Sequence, residues 1–333
     1  MKKIAINGFG RIGRIAFREI FGSSEYQIVA INSRSEPEEL AYLLKYDTVY
    51  RIFNDVDIKT CPEGIIVDGE LIKTYIKNEA KDLPWEDLEV DCVLECTGAY
   101  TTEEKAMQHI FAGAAHVVIS APGKGNIKTI VYGVNHEILD GTEKIISASS
   151  CTTNALAPVI KIINDHFGIE SGFMTTIHAY TNDQATMDGT HNKGINSRRG
   201  RACAQNIVPA STGAATSVGQ VVPELDGKLD GSSFRVPVID GSCIDLTLNL
   251  NKEVTAEEIN KIFSKNQNSV LKFTMDPIVS SDIIGASCGA LVDGLSTKVL
   301  NTNKKLVKIV AWYDNEYGYT AQMLRTMETL LKK

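Results

Sequence analysis

The chain has 333 residues, of which 43% are apolar and 23% charged, and its 34 basic and 41 acidic residues give a net charge of −7. This composition is typical of a globular protein with a sizeable core, and it excludes a disordered, collagen-like or coiled-coil chain. At roughly 150 residues per domain, the length predicts about two domains. The acidic balance argues against nucleic acid or an anionic membrane as the main partner. No apolar run reaches the roughly 20 residues of a membrane-spanning helix.

The seven cysteines are scattered along the chain, and their spacing matches no zinc-binding pattern. A chain of this length does not depend on disulfide bonds for stability. We therefore expect reduced thiols, no bound metal and a cytoplasmic location.

The first half alternates short apolar runs with helical patterns. Strands are predicted over residues 3–7, 26–32, 91–95, 116–120, 129–134 and 144–147, and helices over 11–21, 36–45 and 101–113. Ser35 and Thr101 are the predicted N-caps of the second and third helices. Strand–helix alternation of this kind predicts right-handed βαβ units and a mostly parallel sheet.

The second half has a different pattern. Residues 244–250 alternate between apolar and polar, as a half-exposed antiparallel strand does. Further strands are predicted over 172–181, 233–238 and 307–314, and helices over 152–167, 210–222, 255–266 and 319–330. We place the domain boundary near Ser150, between a dinucleotide-binding domain (1–150) and an α+β domain with a mostly antiparallel sheet (151–318). We expect the terminal segment 319–333 to pack back on the first domain.

A glycine-rich loop joins the first strand to the first helix. Gly8, Gly10 and Gly13 form the pattern G-x-G-x-x-G, with Arg11 and Ile12 between the last two. In a Rossmann-type βαβ unit these glycines allow a tight turn, close approach to a pyrophosphate and close helix–strand packing. The alternative is a glycine turn in another βα unit, but the flanking strand and helix favour a dinucleotide.

The end of the second strand indicates which dinucleotide is bound. An acidic residue about 20 positions after the glycines normally binds the ribose 2′-hydroxyl of NAD. Ser33 and Arg34 stand there instead, and this pair is able to accept a 2′-phosphate that a carboxylate would repel. The sequence therefore favours NADP, or use of both dinucleotides. The alternative is that Arg34 points to solvent and Glu36 serves the ribose.

Cys151 lies between a predicted strand and a predicted helix, in a segment rich in serine and threonine. A helix N-terminus stabilises a thiolate and makes it nucleophilic near neutral pH. A thiolate also needs a base, and His178, on a polar strand that is able to return beside Cys151, is the best candidate among six histidines. Taken alone, each has an ordinary alternative: a buried thiol and a hydrogen-bonded core histidine.

Together these segments closely resemble phosphorylating glyceraldehyde-3-phosphate dehydrogenase over essentially the full chain. The block around the cysteine is highly specific, whereas the glycine loop alone is not. The matching segments are INGFGRIGR (6–14), LLKYD (43–47), ECTG (95–98), ISAP (119–122), SCTTNALAP (150–158), HAYTNDQ (178–184), RRGRA (198–202), STGAA (211–215), FRVP (234–237) and WYDNEYGY (312–319).

The resemblance implies a mechanism in which Cys151 attacks the aldehyde of glyceraldehyde 3-phosphate and His178 acts as the base. Hydride then leaves for the nicotinamide, and inorganic phosphate releases the resulting thioester as an acyl phosphate. It also implies a homotetramer.

The resemblance further assigns binding residues. Thr181, Arg199 and Arg235 would hold the substrate phosphate, and Ser150, Thr152, Thr212 and Gly213 the incoming phosphate. Asn315 would orient the nicotinamide carboxamide, while Thr97 and Ser120 lie along the cofactor. Without the family, Arg198–Arg201 is simply a basic surface loop, and Thr212 with Gly213 a helix cap.

Two departures from the family pattern support NADP. Members that use NAD typically have an aspartate at the position of Ser33, and they often have an apolar residue and proline where this chain has Gly189 and Thr190. Both changes remove obstacles to a 2′-phosphate, so Thr190 joins the predicted cofactor site. The alternatives are a related dehydrogenase acting on erythrose 4-phosphate, or an RNA-binding or regulatory Rossmann protein.

Overall fold

Two β-sheets organise the chain, which is described here by a computed structural model over residues 1–54 and 56–333. Each sheet lies in one of two compact units. Unit 1 comprises Met1–Ile130, His136–Ser150 and Met323–Lys333, and unit 2 comprises Val131–Asn135 and Cys151–Gln322. Within the described ranges, no helix has both the length and the apolar character needed to cross a membrane.

Unit 1 contains a nine-stranded sheet and three helices. The strands are β1 (Lys2–Asn7), β2 (Tyr26–Asn32), β3 (Ile58–Cys61), β4 (Gly64–Val67), β5 (Glu70–Tyr75), β6 (Cys92–Glu95), β7 (His116–Ile119), β8 (Lys128–Thr129) and β9 (Ile145–Ser147), and the helices are α1 (Arg11–Ile20), α2 (Pro37–Lys45) and α3 (Glu103–Phe111). The strands lie in the order β3-β4-β5-β2-β1-β6-β7-β9-β8 across the sheet. All pairs are parallel except β3–β4 and β4–β5, which confirms the mostly parallel sheet.

The central strands of unit 1 are apolar because helices and loops cover both faces of the sheet. Ile4 and Ile6 of β1 are fully buried in one core cluster, which also includes Met323 and Met327 from the end of the chain. The parallel strands β1, β2 and β6 end together, so Asn7, Asn32 and Glu95 lie at one edge of the sheet.

Unit 2 is built on a seven-stranded sheet. Its elements are α4 (Cys151–Phe167), β10 (Ile169–Ala179), β11 (Val208–Ala210), β12 (Leu229–Val236), β13 (Ser242–Leu250), α5 (Ala256–Lys265), β14 (Leu271–Thr274), β15 (Ala290–Leu300) and β16 (Asn303–Tyr313), followed by α6 (Tyr317–Lys332), which runs into unit 1. The strand order is β11-β12-β10-β13-β16-β15-β14. Only β10–β12 and β14–β15 are parallel, which confirms a mostly antiparallel sheet.

Several local expectations were wrong. Residues 210–222 do not form an α-helix: β11 ends at Ala210, and a short 3₁₀ helix covers Thr216–Gln220. Here the Thr212 hydroxyl accepts from the Ala214 amide, and the Ser217 hydroxyl donates to the Ala214 carbonyl. Such local bonds compete with helical hydrogen bonding.

Strand and cap positions also differ. The strand expected over 129–134 stops at Thr129, because the Asn135 side chain accepts from the Val131 amide and closes a turn. The N-cap of α2 is Glu36 rather than Ser35. The N-cap of α3 is Thr102, whose hydroxyl accepts from an amide one turn on, rather than Thr101.

Candidate active site

Cys151 is the first residue of α4, where the helix leaves its first amides without intrahelical partners. Its thiol is half-buried, and the Thr152 hydroxyl lies 3.9 Å from the sulfur. Ser149, two residues earlier, has a left-handed backbone (φ 60°). This turn places the thiol at the start of the helix rather than along its side.

His178 lies beside this thiol, near the end of β10. Its Nε2 is 3.4 Å from Cys151 Sγ, and its Nδ1 is 2.7 Å from the Ala179 carbonyl oxygen. Nδ1 also lies 2.9 Å from Arg235 Nη1, so it faces one group that only accepts and one that only donates. In the tautomer that carries its proton on Nδ1, Nε2 is the acceptor that faces the thiol, as a base requires.

The electrostatics of the pair differ from what the helix N-terminus alone suggests. Burial raises the pKa of the Cys151 thiol, although Arg235 and the nearby amides act in the opposite direction. Burial, followed by the Arg235 charge, lowers the pKa of His178 to about 3. At neutral pH the protein groups alone therefore favour a thiol facing a neutral imidazole.

Two arginines and a threonine surround the other side of His178. Arg235 Nη1 lies 2.9 Å from His178 Nδ1 and donates to the Ala179 carbonyl at 3.0 Å and to Thr181 Oγ1 at 3.1 Å. Arg199 pairs with Asp183, which also accepts from Thr181 at 2.5 Å. Thr181, Arg199 and Arg235, the three predicted phosphate ligands, thus lie in one hydrogen-bonded cluster within unit 2.

Asp183 links these ligands and was not singled out from the sequence. Burial opposes its ionisation, but the Thr181 hydroxyl and the two arginines hold the pKa of this carboxyl below its ordinary value. Arg235 Nε is buried and has no hydrogen-bond partner. The cluster therefore keeps donor capacity in addition to its internal bonds.

Tyr313 is a second residue that sequence reasoning missed. Its hydroxyl is 3.0 Å from Thr152 Oγ1 and 2.8 Å from Thr176 Oγ1, and its ring contacts the His178 ring edge-on at 5.9 Å. Only its place in the matching segment WYDNEYGY pointed to it. Tyr313 orients Thr152, a predicted phosphate ligand, relative to the imidazole.

The other predicted binding residues lie at several separate places in the two units. In unit 2, Asn315 is buried and accepts from Ser242 at 2.6 Å, and Ser242 accepts from the Ala179 amide. Thr212 and Gly213 follow β11, and Thr190 is exposed in the loop after β10. In unit 1, Ser150 is half-buried at the chain boundary of the unit, and Ser120 follows β7 and donates its amide to the Glu95 carbonyl.

Unit 1 has a cavity of about 550 Å³ at the carboxyl edge of its parallel strands. Five predicted cofactor residues line it: Gly8, Gly10, Ser33, Arg34 and Thr97. The lining also includes residues that the sequence did not indicate, namely Asn7, Asn32, Lys77, Asn78, Glu79, Cys96, Ala99, Tyr100, Lys105 and Gln108. They lie at the ends of β1 and β2, in the segments that follow β5 and β6, or on α3.

The glycine loop fits a dinucleotide. A Cβ on Gly13 would lie 2.2 Å from the Gly8 carbonyl, and a Cβ on Gly8 would lie 2.7 Å from Cys96 and Thr97 backbone atoms. A Cβ on Gly10 meets nothing within 4 Å, so this glycine faces open space. Gly8 and Gly13 are thus needed for close packing, whereas Gly10 leaves room for a phosphate group.

Arg11, Ile12 and Gly13 do not line this cavity. The Arg11 guanidinium instead pairs with Asp47 and lies over the Tyr50 ring. Arg11 is therefore able to serve a cofactor only through its backbone amide at the start of α1.

The sequence was compared with protein-family models and with known proteins. Residues 2–103 match the family model "Glyceraldehyde 3-phosphate dehydrogenase, NAD binding domain", and residues 150–315 match the corresponding C-terminal domain. The chain is 52% identical over 335 residues to the glyceraldehyde-3-phosphate dehydrogenase of Clostridium pasteurianum, covering 100% of this chain and 99% of the relative. It is 49% identical to the Streptococcus pyogenes enzyme, with coverage of 99% and 98%. These matches confirm the resemblance, and the chain belongs to the glyceraldehyde-3-phosphate dehydrogenase family.

Proposed function

We propose that the chain oxidises glyceraldehyde 3-phosphate and phosphorylates the product, with Cys151 as nucleophile, His178 as base and NADP as the preferred dinucleotide. The observation that carries this proposal is the contact between Cys151 Sγ and His178 Nε2 at 3.4 Å, beside a cluster of two arginines. A nucleophile, a base within reach of it and an anion site are what a phosphorylated aldehyde requires.

In the first step Cys151 attacks the aldehyde carbon, and its proton passes by way of His178 Nε2 to the aldehyde oxygen, which gives a thiohemiacetal and leaves the imidazole neutral again. Nε2 then takes the hydroxyl proton of the thiohemiacetal as hydride leaves the carbon and a thioester forms. The dinucleotide, when bound, accepts the hydride. Inorganic phosphate then attacks the thioester carbon, the Cys151 sulfur leaves and takes back the proton from His178, and the acyl phosphate is released.

Thr181, Arg199 and Arg235 hold the substrate phosphate in this proposal. Charged guanidinium donors bind phosphate oxygens strongly. Arg235 Nε is buried and unpartnered, so the cluster has a donor to offer. Asp183 fixes the Arg199 guanidinium and the Thr181 hydroxyl in place.

The attacking phosphate is assigned to Ser150, Thr152, Thr212 and Gly213. The Thr152 hydroxyl is oriented by Tyr313 at 3.0 Å and lies beside the Cys151 sulfur. Hydroxyl groups and backbone amides at the start of α4 suit an anion. This places the incoming nucleophile next to the thioester that it attacks.

NADP is proposed because the cavity in unit 1 offers a hydroxyl and two cations near the end of β2. Ser33, Arg34 and Lys77 all line it, and no carboxylate stands at the position of Ser33. Asn315 is proposed to contact the nicotinamide, and Thr190 the side of the 2′-phosphate. Ser120 is proposed to lie along the cofactor.

We further propose that residues 1–150 and 151–318 act as the dinucleotide-binding and catalytic domains, with the terminal segment belonging to the first. We also propose a cytoplasmic homotetramer. Family membership supports the tetramer, and seven free cysteines suit a reducing compartment. Sedimentation equilibrium tests the oligomeric state.

The deciding experiment measures initial rates with glyceraldehyde 3-phosphate, comparing kcat/KM for NADP and NAD with and without inorganic phosphate. Phosphate-dependent turnover that favours NADP supports the proposal, and Cys151→Ser should abolish it. Turnover that favours NAD refutes only the cofactor preference. Turnover without phosphate, or with erythrose 4-phosphate alone, refutes the reaction.

Ser33→Asp tests the specificity residue directly. A carboxylate at this position should lower the NADP/NAD ratio of kcat/KM by about tenfold or more, since it repels a 2′-phosphate. Ser35→Asp adds the same charge two residues away, outside the residues lining the cavity, and is the matched control. Equal effects of the two substitutions would show that Ser33 is not at the ribose.

A further inference from the structure

Beneath the dinucleotide cavity, unit 1 contains a fully buried carboxylate and imidazole that the mechanism does not use. The side chains of Glu95 and His109 are both 0% exposed, and His109 Nε2 lies 3.1 Å from Glu95 Oε2. Burying a charged group costs free energy unless hydrogen bonds compensate for its lost hydration. The contacts of this pair therefore indicate what it does.

Trp85 determines the protonation state of His109. Its indole Nε1 lies 3.0 Å from His109 Nδ1. An indole nitrogen only donates, so Nδ1 must be the unprotonated acceptor. Nε2 therefore carries the single proton and donates to Glu95. The imidazole is held neutral, in one tautomer and one orientation.

Glu95 accepts four hydrogen bonds. Oε2 accepts from Asn7 Nδ2 at 2.5 Å and from His109 Nε2, while Oε1 accepts from the Thr97 amide at 2.8 Å and from the Thr97 hydroxyl. A carboxylate has about four acceptor sites, so each is used. Because Asn7 ends β1 and Thr97 follows β6, one carboxylate ties two neighbouring strand ends together.

The network continues to a third strand end. Asn7 Oδ1 accepts from Asn32 Nδ2 at 2.7 Å, and Asn32 bonds to both the amide and the carbonyl of Lys77 at 2.9 and 3.1 Å. Asn7, Asn32, Lys77 and Thr97 all line the dinucleotide cavity. The buried pair thus bonds directly to two cavity-lining residues, Asn7 and Thr97, and is linked through Asn7 to two more, Asn32 and Lys77.

We propose that Glu95, held by the His109 tautomer that Trp85 selects, is a positioning residue for dinucleotide binding. It orients the strand ends that form the cavity wall before the cofactor arrives, which reduces the ordering that binding would otherwise require. The inference rests on the proposed dinucleotide site in unit 1, and it assigns these three residues no part in the chemical step.

The charged and titratable neighbours of the pair are compatible with this role. The Tyr100 ring lies 5.3 Å from His109, and burial raises the pKa of that phenol. Burial, followed by the Glu95 charge, raises the pKa of Cys96 to about 12. Both groups stay neutral at physiological pH, so neither adds a negative charge beside Glu95.

The principal test replaces Glu95 by Gln, which puts an amide donor where one oxygen now accepts. Trp85 blocks the tautomer change in His109 that would relieve this clash. We expect the Kd and KM for NADP and NAD to rise about tenfold or more, with kcat at saturating cofactor altered less than about threefold. A folded Glu95→Gln protein with unchanged Kd overturns the proposal.

Histidine variants supply the second measurement. His109→Gln keeps a donor for Glu95 and an acceptor for Trp85, so its Kd should stay within about threefold of the wild type, whereas His109→Leu should weaken binding about tenfold. His116→Gln, on β7 outside the cavity lining, is the matched control. Equal Kd values for the Gln and Leu variants at position 109 overturn the proposal.

The tautomer is tested on the wild-type protein without any substitution. Imidazole ¹⁵N spectra of the neutral ring should show the His109 proton on Nε2 and not on Nδ1. Protonation at Nδ1 overturns the proposal even if Glu95→Gln fails to fold. If the wild type binds neither dinucleotide, the proposed function falls together with this inference. If it binds and the variants match it, the inference alone falls.

Discussion

The reactivity of Cys151 towards iodoacetamide should rise steeply with pH, because the protein groups favour the neutral thiol–imidazole pair. The ordinary thiol pKa of 9.0 is raised here by burial. A thiol of pKa 9.0 is only about 1% ionised at pH 7, and its thiolate fraction grows tenfold per pH unit. Alkylation should therefore accelerate throughout the range from pH 6 to 8.5.

The alternative is an ion pair in which His178 holds the proton from Cys151. Burial raises the pKa of the Cys151 thiol and lowers the pKa of His178 to about 3, so desolvation opposes both charges of this ion pair. The opposing contribution is the attraction between the two charges, which at 3.4 Å and an effective dielectric constant of about 20 is ~5 kcal/mol. Because both pKa shifts act against the ion pair, we expect the neutral pair in the resting protein.

The assay follows carbamidomethylation of the Cys151 peptide by mass spectrometry, in protein without added phosphate or dinucleotide. Peptide mapping separates Cys151 from the other six cysteines, and Cys151→Ser is the blank. His178→Asn should shift the curve only modestly, since the imidazole is neutral in the wild type. A rate that is already constant between about pH 5 and 8 would refute this reasoning and show a resting ion pair.

Three further predictions concern stability and binding. Gly13→Ala places a Cβ 2.2 Å from the Gly8 carbonyl and should lower the free energy of unfolding by about 1–3 kcal/mol in urea. Gly10→Ala has space for its Cβ, so it should leave that free energy nearly unchanged while raising the dinucleotide Kd; the reverse ranking would contradict the loop geometry. Tyr313→Phe removes a hydroxyl bonded to two threonines and should cost about 1–2 kcal/mol, as measured by the same unfolding curves. The pKa of His178 falls from its ordinary 6.5 to about 3 on folding. Its contribution to stability is therefore complete above pH 6.5 and is lost at about 1.4 kcal/mol per pH unit as the pH falls below that value. His178→Asn should lack this dependence of the unfolding free energy on pH, and an identical slope would refute the assignment.

Much of unit 1 was predictable because its signals are local. Apolar runs and turn residues identified β1, β2, β6 and α1 to within one residue at each end. The hairpin formed by β3 and β4 was not expected, because its short strands alternate little with polar residues. The cap of α3 was misplaced by one residue, since Thr101 and Thr102 offer equivalent hydroxyls and only the backbone path decides between them.

The sequence by itself determined the family and the glycine loop and pointed to Cys151 and His178 as the proposed reacting pair, because each depends on residue types in short matching segments. Only the tertiary structure decided how they act. The register of β10 with β12 sets His178 beside Arg235, 57 residues later, and burial then makes the imidazole neutral and the thiol harder to ionise. Local sequence carries no information on desolvation, which depends on what the rest of the chain packs around a group.

The Glu95–His109 pair illustrates the same limit. In the sequence, Glu95 ends a strand and His109 lies on a helix, and nothing local indicates that they meet. Folding brings them together with no access to water, and a buried charge then requires every acceptor site to be filled. Residue types and their spacing therefore predict which chemistry is available, whereas the long-range packing of strands and helices decides the charge, the tautomer and the orientation with which each group takes part.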